Sequence, residues 1–168
     1  MKKSADGKKK WAILTTKPAG PIPTVAELKA GIDPSCQILE SDIAWSATAS
    51  DRFNEKVSCQ KGNSQALGAS NYELALTFVR EWLTTGDGPD LTGDDMGYQA
   101  VRVKDSTVWI YLRETDKDST EPWEAGDEIF LGGEVKTDTP TRPGNDGNIK
   151  RRVEFLPQNM ISEVLVAA

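Results

Sequence analysis

The nearest thing to a chemical site in this chain is an acidic cluster, Asp116, Asp118, Glu121 and Asp127, whose carboxylates are the hard oxygen ligands that calcium takes. The spacing does not support it. Counting from Asp116, an EF-hand needs glycine at the sixth position and glutamate at the twelfth, where this chain has Glu121 and Asp127. Counting from Asp87 ends on Tyr98, so the expected state is a solvated acidic loop. The stretch GDGPDLTGDD is rich in glycine but lacks both the P-loop Lys followed by Ser or Thr and the G-x-G-x-x-G spacing, and reads as a turn. There is no histidine, which removes the usual acid–base group near neutral pH and the commonest metal ligand. Two isolated cysteines, Cys36 and Cys59, cannot make a zinc site alone. They sit among alternating apolar positions and are expected to pack as buried thiols rather than to pair. No G-x-S-x-G elbow is present, and no carboxylate pair stands out as a glycosidase would need. The expectation is a protein with no catalytic residue, no cofactor and no metal.

The elements around these residues read as mainly β. From Tyr72 the positions Tyr72, Leu74, Leu76, Phe78 and Trp82 are apolar, broken only by Arg80, while Asn71, Glu73, Thr77 and Glu81 are polar. That is the period of a half-buried strand. Upstream, Phe53, Val57 and Cys59 alternate with Asn54, Lys56, Ser58 and Gln60, which predicts a strand over 53–59, and the polar link 60–70 between the two is long for a hairpin. Trp11 to Thr15 predicts a first strand, stopped by KPAGPIP. Thr24 followed by Glu27 has capping-box spacing, with Gly31 at the stop, and predicts a helix of about two turns. Leu39, Ile43 and Trp45 lie on one side of an expected long strand from Cys36. Met96, Ala100 and Val103 recur at helical spacing although Tyr98 to Val103 could be extended; a helix from about Asp94 is favoured, with Asp94 and Asp95 at its positive end. Ser106 to Glu114 predicts a central strand, Val108, Ile110 and Leu112 on one face and Trp109 and Tyr111 on the other. Strands follow around Ile129, Leu131 and Val135, around Ile149, Val153 and Phe155, and over Met160 to Val166, with a polar arm 136–148 between the first two.

A chain of 168 residues fits one domain. No apolar run approaches the roughly 20 residues needed to cross a bilayer. The N-terminal stretch MKKSADGKKK lacks the apolar segment of a signal peptide, so the chain is expected to stay in the cytoplasm where it is made. Residues 1–10 carry five lysines against Asp6 and are expected to form a flexible basic arm ahead of a single domain over 11–168. The whole chain is −6, so that domain is strongly acidic. Most of the excess lies between Asp87 and Glu128, a composition that does not grip nucleic acid, where affinity comes from Lys and Arg displacing counterions. The tryptophans, Trp11, Trp45, Trp82, Trp109 and Trp123, are many for this size, and aromatic residues concentrate in cores and at subunit interfaces.

With these residues in view, the sequence resembles the major tail tube proteins of long-tailed bacteriophages, especially those of actinobacteria. The resemblance rests on Asn54 through Cys59, Gly62, Asn63, Gly68, Ser70, Asn71 and Tyr72, on EPWEAGDEIFLGGEV, and on the opening MKKSADGKKKWAILTTKPA. It implies a β-sandwich or barrel with one or two flanking helices, joined into a hexameric ring around a shared inner β-barrel, the rings stacking into a non-contractile tube through which DNA passes without specific binding. It further implies assembly in the bacterial host cytoplasm, a place in the virion, and the tape measure, tail terminator and tail tip proteins as partners, with no membrane. On this basis Asp51, Arg52, Asn54, Lys61, Asn63, Gln65 and Ser70 are expected to form a ring-to-ring contact, and Phe53, Val57, Cys59, Tyr72, Leu74, Leu76 and Phe78 the barrel wall. Asp87, Asp90, Asp94, Asp95, Asp116, Asp118 and Glu121 are the acidic residues that could face the lumen. A capsid decoration or head–tail joining protein, or a carbohydrate-binding β-sandwich with tryptophans as its platform, would share the β-rich, non-catalytic character.

Overall fold

The computed structural model describes residues 2–168. Eight strands and two short helices follow in order: β1 Lys9–Leu14, α1 Val25–Ala30, β2 Ala44–Thr48, β3 Arg52–Glu55, β4 Ser64–Leu67, β5 Asn71–Val79, α2 Met96–Val101, β6 Thr107–Glu114, β7 Glu128–Thr137 and β8 Lys150–Leu165. Six strands form one antiparallel sheet in the order β1-β6-β7-β8-β5-β2, and β3 and β4 form a separate pair. The long sheet folds over on itself. Trp11 of β1 and Trp45 of β2, from opposite ends of the strand order, meet edge to face at 5.2 Å, and the Trp45 indole donates to the Leu131 carbonyl at 3.0 Å. Between the layers lie Ile13, Leu76, Phe78, Val101, Ile110, Leu112, Val135 and Val153, all fully buried. Each such side chain contributes roughly 1.5–3 kcal/mol on leaving water.

Local signals explain several elements. The Thr24 hydroxyl accepts from the Glu27 N–H while the Glu27 carboxylate accepts from the Thr24 N–H, a completed capping box that starts α1. The two faces expected of β6 are both covered. Val108, Ile110 and Leu112 point into the main core, and Tyr111 packs in a second cluster with Ala12, Leu14, Leu28, Trp123, Ile129 and Val166.

The structure departs from the sequence reading at several places, beginning with the strand expected over 53–59, which is only Arg52–Glu55, and the polar link 60–70, which holds a strand of its own, Ser64–Leu67. The long strand expected from Cys36 is only Ala44–Thr48, because a turn at 35–37 and a short 3-10 turn over Glu40–Asp42 interrupt it. Cys36 and Cys59 are both exposed, each in a turn rather than a strand, so neither is a core thiol. The two strands expected at 149–155 and 160–166 are one, β8. Pro157 does not break it, because β5 joins β8 only from Lys150 to Glu154, and beyond that a missing N–H on the open side forfeits no ladder bond. Finally, the first strand begins at Lys9 rather than Trp11, and Lys8, Lys9 and Lys10 pair with Asp118, Glu40 and Asp33.

The pair Gly132–Gly133 sets how closely β7 approaches its neighbours. Gly133 has φ +143°, and a Cβ there would lie 2.1 Å from the Asn159 carbonyl oxygen of β8. Gly133→Ala is therefore expected to destabilise the fold by about 3 kcal/mol, read as a lowered urea midpoint with an unchanged slope. An unaltered midpoint would show that β7 and β8 are free to move apart.

Candidate assembly surface

Thr48 pairs with Asn71, and four residues further on Arg52 pairs with Leu67 and Glu55 with Ser64, all in one register. Between the two ladders the Gly68 N–H donates to the Asp51 carbonyl at 2.7 Å and the Asp51 N–H to the Ala69 carbonyl at 3.0 Å. Asn71 braces the junction, its amide donating to the Ala49 carbonyl and the Asp51 carboxylate. Strands β2–β3 and β4–β5 are therefore the two sides of one long hairpin. Its inner half belongs to the sheet and its outer half stands free, with every residue of β3 and β4 exposed. The free half is not wholly polar. Phe53 is 57% exposed and Leu67 76%, with Val57 beyond them near the tip. The Phe53 ring lies over Gly68, where a Cβ would come within 2.6 Å of it. An isolated two-stranded ribbon is marginal in water, and the subunit leaves this one uncovered.

Asp51, Arg52, Asn54, Lys61, Asn63, Gln65 and Ser70, expected at a ring contact, all lie exposed on this arm or at its base. The expected wall residues separate into two groups. Phe53, Val57 and Cys59 are on the free arm, whereas Tyr72 is half-buried and Leu74, Leu76 and Phe78 are core. The cause is pairing: β3 lies against β4, not beside β5.

The acidic residues also divide. Asp95 is fully buried and cannot face any lumen, because it accepts two bonds from Arg80, at 2.7 and 2.9 Å, and one from Gln99. Arg80, the break in the apolar alternation, lies over the Tyr98 ring at 4.2 Å and the Trp82 ring at 5.0 Å. Asp95 stands at the N-cap of α2 yet makes no side-chain cap bond, its oxygens being committed to Arg80. Asp87, Asp90 and Asp94 lie on the turn-rich segment after β5, and Asp116, Asp118 and Glu121 on the β6–β7 connection, where Asp118 pairs with Lys8.

Burial alone would raise the Asp95 pKa; the hydrogen bonds from Arg80, Gln99 and the Glu81 N–H outweigh it and hold the carboxyl below its ordinary value. A depressed folded pKa gives stability that is present above the unfolded value and lost as pH falls through the folded one. Asp95→Asn is thus expected to cost about 2 kcal/mol at pH 7, with the gap to wild type closing below about pH 4 in acid titrations of stability. A gap that persisted there would mean Arg80 does not depend on the charge.

Among the described residues no group of three His, Cys, Asp or Glu side chains could hold a metal. A groove of about 290 Å³ beside Lys17, Trp109 and Glu134 has the buried Tyr111 in its wall. Burial first, then the charges of Glu27 and Glu134, push that phenol well above its ordinary pKa, which leaves it protonated at neutral pH. Trp11, Trp45 and Trp123 are buried and only Trp82 is substantially exposed, so there is no row of surface tryptophans for a sugar.

A free two-stranded arm on a folded-over β-sheet is a surface that a self-assembling subunit can use. A family model described as phage tail tube protein matches residues 1–168. The chain belongs to the phage tail tube protein family. No curated protein and no solved structure matches it. This tail tube protein is accordingly a structural protein of the virion that assembles with itself into the tail. No helix among the described residues is long and apolar enough to cross a membrane. The reading by resemblance thus reached the family, while the arm as a hairpin escaped it. Only the equal lengths of Arg52–Glu55 and Ser64–Leu67 about a polar turn could have signalled the ladder.

Proposed function

We propose that the protein is the major subunit of a non-contractile tail tube, polymerising as stacked hexameric rings into the conduit for DNA ejection. The observation that carries this reading is the exposed arm, continuous with the sheet through β2 and β5 and lined with apolar side chains that nothing in the subunit covers. Two open strand edges support it. The outer edge of β2 has no partner among the described residues, and β8 from Phe155 onward is paired on one side only. An unpaired edge is a template for another chain, and joining two different edges head to tail closes a ring when the rotation allows. The shared barrel would be completed by these edges.

The exposed carboxylates of Asp87, Asp94, Asp116, Asp118 and Glu121, with the partly buried Asp90, are the ones available to face a channel, and a negative wall lets phosphates slide past without sticking. Screening within about 8 Å at physiological salt keeps that repulsion local. The tape measure protein inside the tube and the terminator and tip proteins at its ends are the partners this role requires, with assembly in the host cytoplasm. Negative-stain microscopy of the purified protein tests the reading: sixfold rings and tubes of stacked rings are expected. Monomers or discrete unstacked rings at every concentration would overturn it and favour a capsid decoration or head–tail joining protein.

A further inference from the structure

The arm and a second exposed apolar patch lie at opposite ends of β5. The arm leaves at Asn71, while the segment 80–95 leaves at Val79, eight residues or roughly 26 Å further along. We propose that the tip of the arm docks on the segment Glu81–Asp94 of a second copy of this chain; the inference rests on the stacked-ring reading and names the surface that receives the arm. Patches at opposite poles cannot meet within one subunit. A copy displaced along β5 brings them together, and such a heterologous contact repeats without limit, as a tube requires.

The receiving surface is preformed. Trp82 bridges to Pro89, the Leu83 N–H donates to the Gly88 carbonyl at 2.9 Å, the Gly86 N–H to the Leu83 carbonyl at 2.9 Å and the Asp90 N–H to the Glu81 carbonyl at 3.2 Å. Arg80 locks the base of this small hairpin through Asp95 and the Trp82 and Tyr98 rings. What it presents is apolar and acidic together: Trp82 at 42% exposed, Leu83 at 41% and Leu91 at 60%, beside Glu81, Asp87, Asp90 and Asp94. None of these four carboxylates has a cation within salt-bridge distance among the described residues, although Arg142, Lys150 and Arg151 lie on the neighbouring connection. The arm is the complement. Phe53, Val57 and Leu67 are its exposed apolar groups, and Arg52, Lys56 and Lys61, none of them in an ion pair among the described residues, outweigh Glu55, the acidic side chain between them.

The native Cys59, exposed at the arm tip, supplies the test. In a Cys36→Ser background, Asp87→Cys places a second thiol on the exposed turn of the receiving segment, and a short bis-maleimide is added to the assembled full-length protein. A ladder of dimers, trimers and longer chains on a denaturing gel is expected, lost when Cys59→Ser is added and absent when the second thiol is Asp116→Cys on the β6–β7 connection. Tubes on the grid without a ladder would overturn the docking and leave the tube reading standing. A ladder without tubes would do the reverse, monomers without a ladder would overturn both, and an equal ladder from Asp116→Cys would overturn the docking.

Discussion

Replacing residues 50–69 by an Asn-Gly turn is expected to abolish tubes while leaving a subunit that melts within a few degrees of wild type. The join follows the register. Thr48 pairs with Asn71, so Ala49 and Ser70 become the residues flanking a two-residue turn, and Asn-Gly supplies the positive φ values that such a turn needs. Little stability should go with the arm, because every residue of β3 and β4 is exposed and the arm's apolar contact is local, Phe53 over Gly68. Assembly should go entirely, since Phe53, Val57, Leu67 and the free cations leave together. Cutting only Gln60 to Ser70, the link that the sequence marks as polar, is a poorer experiment. That cut removes β4 and leaves β3 as an unpaired edge, which invites aggregation. Sedimentation velocity and microscopy give the readout, and tubes of normal length from the turn variant would refute a role for the arm.

The difference between those two deletions shows what the sequence could and could not convey. Period-two alternation marks a strand only where one face is dry, and Leu74, Leu76 and Phe78 made β5 plain for that reason. Both faces of β3 and β4 are wet in the subunit, so the alternation at Phe53, Val57 and Cys59 finds β3 but carries it past its end at Glu55, and Ser64–Leu67, which lacks any such period, reads as a polar link. Thr24 with Glu27 was legible because a capping box is a contact four residues wide. Arg80 looked like a defect in β5 because its partner Asp95 lies fifteen residues on, a distance over which nothing in a sequence announces pairing. The continuity of β8 through Pro157 was hidden for the opposite reason: the proline is tolerated because of a missing neighbour, and an absent strand leaves no mark.

Arg113→Ala is expected to cost about 4 kcal/mol, the penalty for stripping one partner from a buried charged network, and so to take a large part of the stability of a domain this size. Arg113 is fully buried beneath the β6–β7 connection. One terminal nitrogen donates to the Pro122 carbonyl and to the Asp127 carboxylate, each at 2.9 Å, and the other to the carbonyls of Asp118, at 2.8 Å, and Glu121, at 3.2 Å. Its Nε alone has no partner. The acidic run that resembles a calcium loop is thus folded around an internal cation instead. Alanine would leave three carbonyls and part of a carboxylate facing a void, and would free Trp123, over whose ring the guanidinium lies at 5.5 Å. Burial would raise the Asp127 pKa, but hydrogen bonds from Lys117, the Glu124 N–H and Arg113, with the charge of Arg113, hold it below its ordinary value. The stability it contributes is therefore present above the unfolded pKa near 4 and lost as pH falls through the folded one. Urea unfolding followed by tryptophan fluorescence should show the Arg113→Ala deficit at pH 7 and a smaller one below about pH 4. Arg113→Lys should recover only part of it, because an ammonium cannot span four acceptors as the planar fork does. A deficit under 1 kcal/mol, or one independent of pH, would mean that the connection holds its shape without the arginine.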